Sequence, residues 1–185
     1  MAKEIWKPGN MLYPLPVVMV SLADQSGRTN IITVAWVGTV CTNPPMVSIS
    51  VRPERYSYPI LRETGEFVIN LTTKELVFAT DYCGVKSGRD VDKFREMHLT
   101  AISGTEVRAP MIAESPVNIE CRVREVKELG SHHLFLADVV AVHADEAYMD
   151  GKRKFHLDQA DPIVYSHGAY FACGERLGTD RKSTR

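Results

Sequence analysis

The chain has 185 residues, 44% hydrophobic and 24% charged, with a net charge of −1 at neutral pH. A chain of that length fits one domain that buries about 70% of its unfolded surface, so its core needs no disulfide or metal to hold it. The balanced charge argues against a dedicated nucleic-acid binder, which carries a clear basic excess; any basic cluster here is a local device.

At the N-terminus, Lys3, Glu4 and Lys7 precede a short apolar run broken by Pro14 and Pro16, so no secretory signal is read and a cytoplasmic protein is expected. "VVMVSLAD" (17–24) is β-rich and ends at the turn cluster around Gly27. "NIITVAWVGTV" (30–40) is rich in β-branched residues, "TNPP" (42–45) is a turn, and "MVSISV" (46–51) alternates. The uncharged stretch 29–51 is long enough to raise the question of a membrane span, but its asparagines, threonines and Pro44–Pro45 read as two strands around a turn. "RYSYPILRET" (55–64) predicts a short helix with Pro59 in its first turn and Gly65 as its C-cap. "EFVINL" (66–71) predicts a strand. "TKELVFATDYCG" (73–84) and "DVDKFREM" (90–97) predict helices, the second with Ser87 and Asp90 in a loose capping pattern. "VNIECRVREV" (117–126) alternates, which predicts Val117, Ile119, Cys121 and Val123 facing in and Asn118, Glu120, Arg122 and Arg124 facing out. "HLFLADVVAVHA" (133–144) and "DPIVYS" (161–166) complete the strands, and the polar "GTDRKSTR" (178–185) is expected to fray. Many short strands with few helices predict a closed antiparallel barrel or sandwich.

Cys41, Cys83, Cys121 and Cys173 lie far apart and read as thiols of a reducing compartment. His132 and His133 would point to opposite faces of a strand, a poor chelate, so no metal site is expected.

Three stretches carry chemistry. "SVRPERYS" (50–57) packs Arg52, Arg55, Tyr56 and Ser57 where a strand passes into a helix. Guanidinium forks, hydroxyls and helix N–H groups are what a phosphate wants, although a solvated turn would also look like this. In "NIITVAW" (30–36) the small Thr33 and Ala35 leave room for something flat to approach the backbone, or simply pack under a helix. "CGVKSGRDVDKF" (83–94) is a basic, glycine-bearing loop running into a helix, suited to an anion or to ordinary capping. No G-x-G-x-x-G, Walker loop, G-x-S-x-G or H-E-x-x-H is present, and no acid/base pair stands out. A phosphorylated, flat cofactor with its own reactive chemistry needs only binding and orientation from the protein, and flavin mononucleotide (FMN) fits.

The spaced combination "NxxTxAW", "NPPxVxISxxxxR" and "CGxxSGxxxDKF", with "YPLPVVMVS", "GEFVINL" and "PIVY" around it, resembles the flavin reductase-like, FMN-binding split-barrel proteins, the flavoredoxin branch in particular, from about residue 11 to 177. The resemblance implies a six-stranded antiparallel split barrel with Greek-key connections and flanking helices, and a homodimer with noncovalent FMN near the subunit interface. By position it implies that Thr33, Ala35 and Trp36 lie along the flavin ring or its edge, and that Arg52, Arg55, Tyr56 and Ser57 take the phosphate. Asn70 would sit near the ribityl chain or ring. Cys83, Gly84, Ser87, Lys93 and Phe94 would close over the cofactor, with Lys93 available to phosphate or ring oxygen, and Tyr165 joins them. Many relatives carry histidine or serine where this chain has Tyr56, whose hydroxyl either reaches the phosphate or packs. Cys83, beside the flavin, is either redox-active or a small apolar filler.

The implied function is an FMN-dependent oxidoreductase without a general acid or base. One form takes hydride from NADH or NADPH and reduces a small acceptor; another is a flavoredoxin-type carrier that passes electrons between proteins; a third stores flavin without turnover. The rival from another class is a β-barrel module binding single-stranded nucleic acid through stacking aromatics.

Overall fold

The computed structural model describes residues 1–178 and 180; the rest of the polar C-terminal stretch, expected to fray, lies outside the described residues. The strands are β1 (Leu15–Pro16), β2 (Val18–Ala23), β3 (Thr29–Val34), β4 (Val37–Cys41), β5 (Met46–Val51), β6 (Glu66–Leu71), β7 (Ala101–Ile102), β8 (Met111–Ile112), β9 (Val117–Leu129), β10 (His132–Ala144), β11 (Ile163–Ser166) and β12 (Ala169–Ala172). The α-helices are α1 (Ser57–Thr64), α2 (Val77–Val85) and α3 (Lys93–Glu96).

Seven strands form one antiparallel sheet in the order β3-β2-β6-β9-β10-β5-β4. Its two edge strands, β3 and β4, are consecutive in the chain and joined only by Ala35 and Trp36. Two residues span less than about 8 Å, so the edges must come together and the sheet curls into a barrel with a seam at Ala35–Trp36. The Ser50 N–H donates to the Trp36 carbonyl at 2.8 Å, which carries the β4–β5 ladder up to that seam. The continuous strand predicted over 30–40 is therefore bent and divided into β3 and β4, and the sheet has seven strands where six were expected. The chain leaves β5 through α1 and returns as β6, with β9 and β10 between them, which is the Greek-key crossover.

The barrel interior holds alternate residues of its strands, including Val20, Ile49, Phe67 and Phe135, closed at one end by Ile60 and Leu61 of α1. A second apolar layer covers the outside of β2 and β3, where Met19 and Ile31 meet Leu76, Ala79, Cys83 and Phe94. Strand β2 is buried on both faces, hence its apolar character, broken only by Ser21, whose hydroxyl donates to the Pro110 carbonyl.

Helix α1 starts two residues later than predicted and ends as predicted, with Gly65 left-handed at φ 64° and its N–H on the Leu61 carbonyl. The other two helices are shorter than predicted. Helix α2 begins at Val77, after a turn closed by the Leu76 N–H on the Thr73 carbonyl. Helix α3 is capped by the Asp92 carboxylate, which accepts from the Arg95 N–H, and not by Ser87 or Asp90.

Strand β9 departs most from its reading. Asn118 and Glu120, predicted to face out, are buried. The 105–112 segment, which precedes the strand, folds back over them: Glu120 accepts from the Thr105, Glu106 and Val107 N–H groups at 2.8–2.9 Å, and Asn118 donates to the Ile112 carbonyl at 2.9 Å.

Candidate functional site

A groove opens at the barrel seam. Its first part, about 340 Å³, is walled by β3 and the seam (Thr33, Ala35, Trp36), α2 (Asp81, Gly84, Val85) and the β11–β12 hairpin (Tyr165, Gly168, Tyr170). Its second part, about 400 Å³, is walled by the 52–57 turn and the 86–89 loop. The two share Ile32, Arg52, Arg55 and Gly84, and so adjoin. Both volumes lie in the range of ligand clefts, ~300–1,000 Å³.

The first part is a slot for something flat. Gly84 sits close against Thr33 there: a Cβ at this position would lie 3.2 Å from the Thr33 Cβ, so the threonine would have to give way by a few tenths of an ångström. Thr33 is held in place by donating to the Thr80 carbonyl of α2. At the other wall the Trp36 and His132 rings stack with centroids 5.8 Å apart and planes 6° from parallel. Gly130, at φ 72°, turns the β9–β10 hairpin and delivers His132 to the rim. Burial, then Arg52, pulls the His132 pKa down, Glu54 opposing and Arg55 adding to it, so the ring is neutral at pH 7.

The second part is basic. Arg52, Arg55, Lys86, Arg89 and Lys93 line it against one acid, Glu54, which pairs with Arg52 at 2.6 Å. The turn is closed by the Arg55 N–H on the Arg52 carbonyl, and α1 begins directly after it, so its N-terminal dipole faces the same space. Tyr56 lies between two cations, with the Arg28 and Arg89 guanidiniums 5.3 and 5.8 Å from its ring centroid. Its hydroxyl is buried without a hydrogen-bond partner among the described residues, an arrangement that costs free energy unless a ligand supplies one. The loop and the turn meet at Gly88, where a Cβ would lie 2.6 Å from Asn30 Cγ and 2.8 Å from Tyr56 Cδ1. Gly88→Ala is expected to push Asn30 off Ser57, to which it now donates at 2.8 Å. The cost should be about 1–3 kcal/mol together with weaker anion binding. Thermal unfolding checks this, and an unchanged midpoint would contradict the close approach.

Of the residues singled out by sequence, Thr33, Ala35, Trp36, Arg52, Arg55, Gly84 and Tyr165 line the first part. Tyr56, Ser57, Cys83, Ser87 and Lys93 line the second. Asn70 and Phe94 line neither. Asn70 sits on central strand β6 with its amide spent on the Met19 carbonyl, Ser21, the Ile112 N–H and Asn118. Phe94 belongs to the apolar layer under α2. Lys93 is a structural tie more than a free cation: it donates to the Ile31 and Cys83 carbonyls at 2.6 and 2.8 Å, joining β3 to α2. Burial brings its pKa down to about 8, Cys83 opposing and Arg55 adding to the shift. Burial likewise pushes the Cys83 thiol up to about 11, so it is protonated at pH 7 and a poor nucleophile.

Sequence reasoning missed Asn30, Lys86 and Arg89, which lie inside stretches it had marked. It also missed His132, Asp81 and Tyr170, which carry no local signal.

These features fit a phosphorylated planar ligand: a slot beside small residues, then a basic pocket at a helix start with an unpartnered hydroxyl. The flavin reductase like domain model matches residues 10–174. The chain belongs to the flavin reductase-like family. Flavoredoxin of Desulfovibrio vulgaris (Miyazaki F) is similar at 30% identity, with TM-score 0.92 and all of both chains covered. Flavoredoxin from Methanosarcina acetivorans is similar at 31% identity and TM-score 0.89, over 100% of this chain and 98% of that one. A more distant relative is the NADH:riboflavin 5'-phosphate oxidoreductase of Streptomyces pristinaespiralis, 24% identical over 71% of this chain and 72% of its own. The split barrel implied by the motifs is thus the fold of this flavin reductase-like chain. Among the described residues no helix is long and apolar enough to cross a membrane.

Proposed function

We propose that this flavin reductase-like chain binds FMN noncovalently and works as an FMN-dependent oxidoreductase, taking hydride from NADH or NADPH and passing electrons to a small acceptor. The observation that carries the reading is the junction of the two parts of the groove, a flat slot opening at Arg52 and Arg55 into a basic pocket. Bound there, FMN would supply the redox chemistry, accepting a hydride equivalent and releasing electrons. The protein's part is to bind, orient and exclude water. Arg52, Arg55, Arg89 and the start of α1 would hold the phosphate, the Tyr56 hydroxyl would gain the partner it lacks, and Thr33, Ala35 and Gly84 would set the ring's distance from the backbone. Buried Cys83 would act as apolar filler. The exposed apolar Met11, Leu12 and Trp36 line a further cavity beside the groove and support a homodimer with the site near its interface.

Purified protein loaded with FMN and desalted is expected to keep a yellow flavin spectrum and to bleach within turnover time when mixed anaerobically with NADH or NADPH. A colourless protein that takes up no FMN would refute the binding. Retained flavin that ignores both nucleotides would favour the second reading, a flavoredoxin-type carrier, which the similarity to the two flavoredoxins supports.

A further inference from the structure

The groove has an end that the phosphate reading leaves unexplained. Arg52 and Arg55 belong to both parts of the groove, whereas Asp81, Tyr165 and Tyr170 line only the first. Asp81, on α2, is the single acid among the residues that line this part, and it is exposed to it. No lysine, arginine or histidine among the described residues forms an ion pair with it. Its partner is neutral: the Tyr170 hydroxyl donates to Oδ1 at 3.1 Å, tying the β11–β12 hairpin to α2. Behind the carboxylate the Tyr165 and Tyr170 rings meet edge to face with centroids 5.9 Å apart, and Tyr13 lies 6.2 Å beyond Tyr165.

A carboxylate that no cation neutralises and the electron-rich faces of phenol rings attract the same sign of charge. Trp36 and His132, stacked in the same cavity, favour a flat occupant. We propose that Asp81, Tyr165 and Tyr170 form a subsite for a planar aromatic cation at the end of the groove away from the arginines, and that the Asp81 carboxylate turns aromatic anions away. The groove is then divided by charge: anions are held at the arginine end, and cations or neutral rings enter at the other. The proposal rests on the flavin reading in taking the arginine end and the slot beside Thr33, Ala35 and Gly84 to be filled, so the subsite is the part of the cavity left toward Asp81, Tyr165 and Tyr170. A carboxylate about 4 Å from a unit positive charge in water-like surroundings is worth a factor of about five in affinity.

The test uses the FMN-loaded protein and three flat probes of graded charge: 1-methylquinolinium, quinoline and 2-naphthoate, titrated by calorimetry at low ionic strength and neutral pH. The cation is expected to bind about fivefold more tightly than quinoline, and naphthoate most weakly. Asp81→Asn, which keeps an acceptor for Tyr170, should bring cation and quinoline within about twofold. Added salt should narrow the wild-type preference in the same direction, which tests the charge without a variant. Equal binding of cation and quinoline, naphthoate matching quinoline, a preference that survives Asp81→Asn, or one that ignores salt would each overturn the proposal. Flavin loading is read separately from the visible band. If the protein takes up no flavin, the flavin reading fails, and the comparison of cation with quinoline on the flavin-free protein, wild type against Asp81→Asn, still decides the role of Asp81; naphthoate is left out there because the empty arginine end can take it.

Discussion

Replacing Arg52 and Arg55 together by alanine is expected to weaken FMN binding at least a hundredfold while changing riboflavin binding little. The two side chains line both parts of the groove and stand where a flat ligand's phosphate would leave the slot. A charge-assisted hydrogen bond contributes about 1.5–3 kcal/mol, so losing two gives roughly 3 kcal/mol or more, a factor of 100. Arg55 should account for the larger share, because Arg52 already spends part of its charge on Glu54 at 2.6 Å. The fold should survive, since the Arg52–Glu54 pair is exposed and such pairs contribute little to stability. Riboflavin, which lacks the phosphate, is the control. Fluorescence titration of both ligands separates the cases: an equal loss for the two would move the arginines to the ring, and no loss for FMN would remove them from the site.

The second large effect lies on the other side of the barrel wall. Glu120 is fully buried, and its carboxylate accepts from three backbone N–H groups, from the Thr105 hydroxyl at 2.8 Å and from the His143 ring at 2.6 Å. Burial alone would raise its pKa, but the hydrogen bonds from Thr105, Glu106 and His143 outweigh it and hold the carboxyl down at about 2. Glu120→Gln turns one acceptor oxygen into an NH₂ that faces donors. It is expected to cost about 2–4 kcal/mol at neutral pH and to loosen the 103–109 segment.

The sign of the pH dependence follows from the lowered pKa. The folded state holds the proton less well than the unfolded chain, so the Glu120 contribution is complete above the ordinary glutamate pKa near 4.5. It disappears as the pH falls through that value toward about 2. The variant should therefore lose less stability than the wild type between pH 5 and 2. Urea unfolding midpoints across that range check both claims; a variant as stable as the wild type at pH 7, or acid profiles that run parallel, would contradict them. FMN binding should persist, because none of Glu120's partners lines the groove.

Features set by short-range chemistry were legible in the sequence. Alternation and β-branching marked the barrel strands. Pro59 and Gly65 bounded α1, because a proline suits a first turn and a glycine suits a left-handed cap. The crowding of Arg52, Arg55, Tyr56 and Ser57 at a strand end marked the basic pocket, since the residues that build it are neighbours in the chain.

Features that depend on what packs over a segment were not legible. Asn118 and Glu120 alternate like solvent-facing residues, yet the 105–112 segment folds back over them: its N–H groups donate to Glu120 and its Ile112 carbonyl accepts from Asn118, which makes their burial tolerable. Asn70 and Phe94 stand in stretches that do reach the site, but side chains on one element point to different sides, and these two point into buried layers packed on the outside of the barrel. The bend at Ala35–Trp36 exists because β3 and β4 are opposite edges of one curled sheet, a relation no local pattern encodes. His132, Asp81 and Tyr170 come to the groove from β10, α2 and β12, and only the closing of the barrel and the folding back of the β11–β12 hairpin bring them together. Periodicity reports which residues share a face; which faces meet is settled by long-range packing.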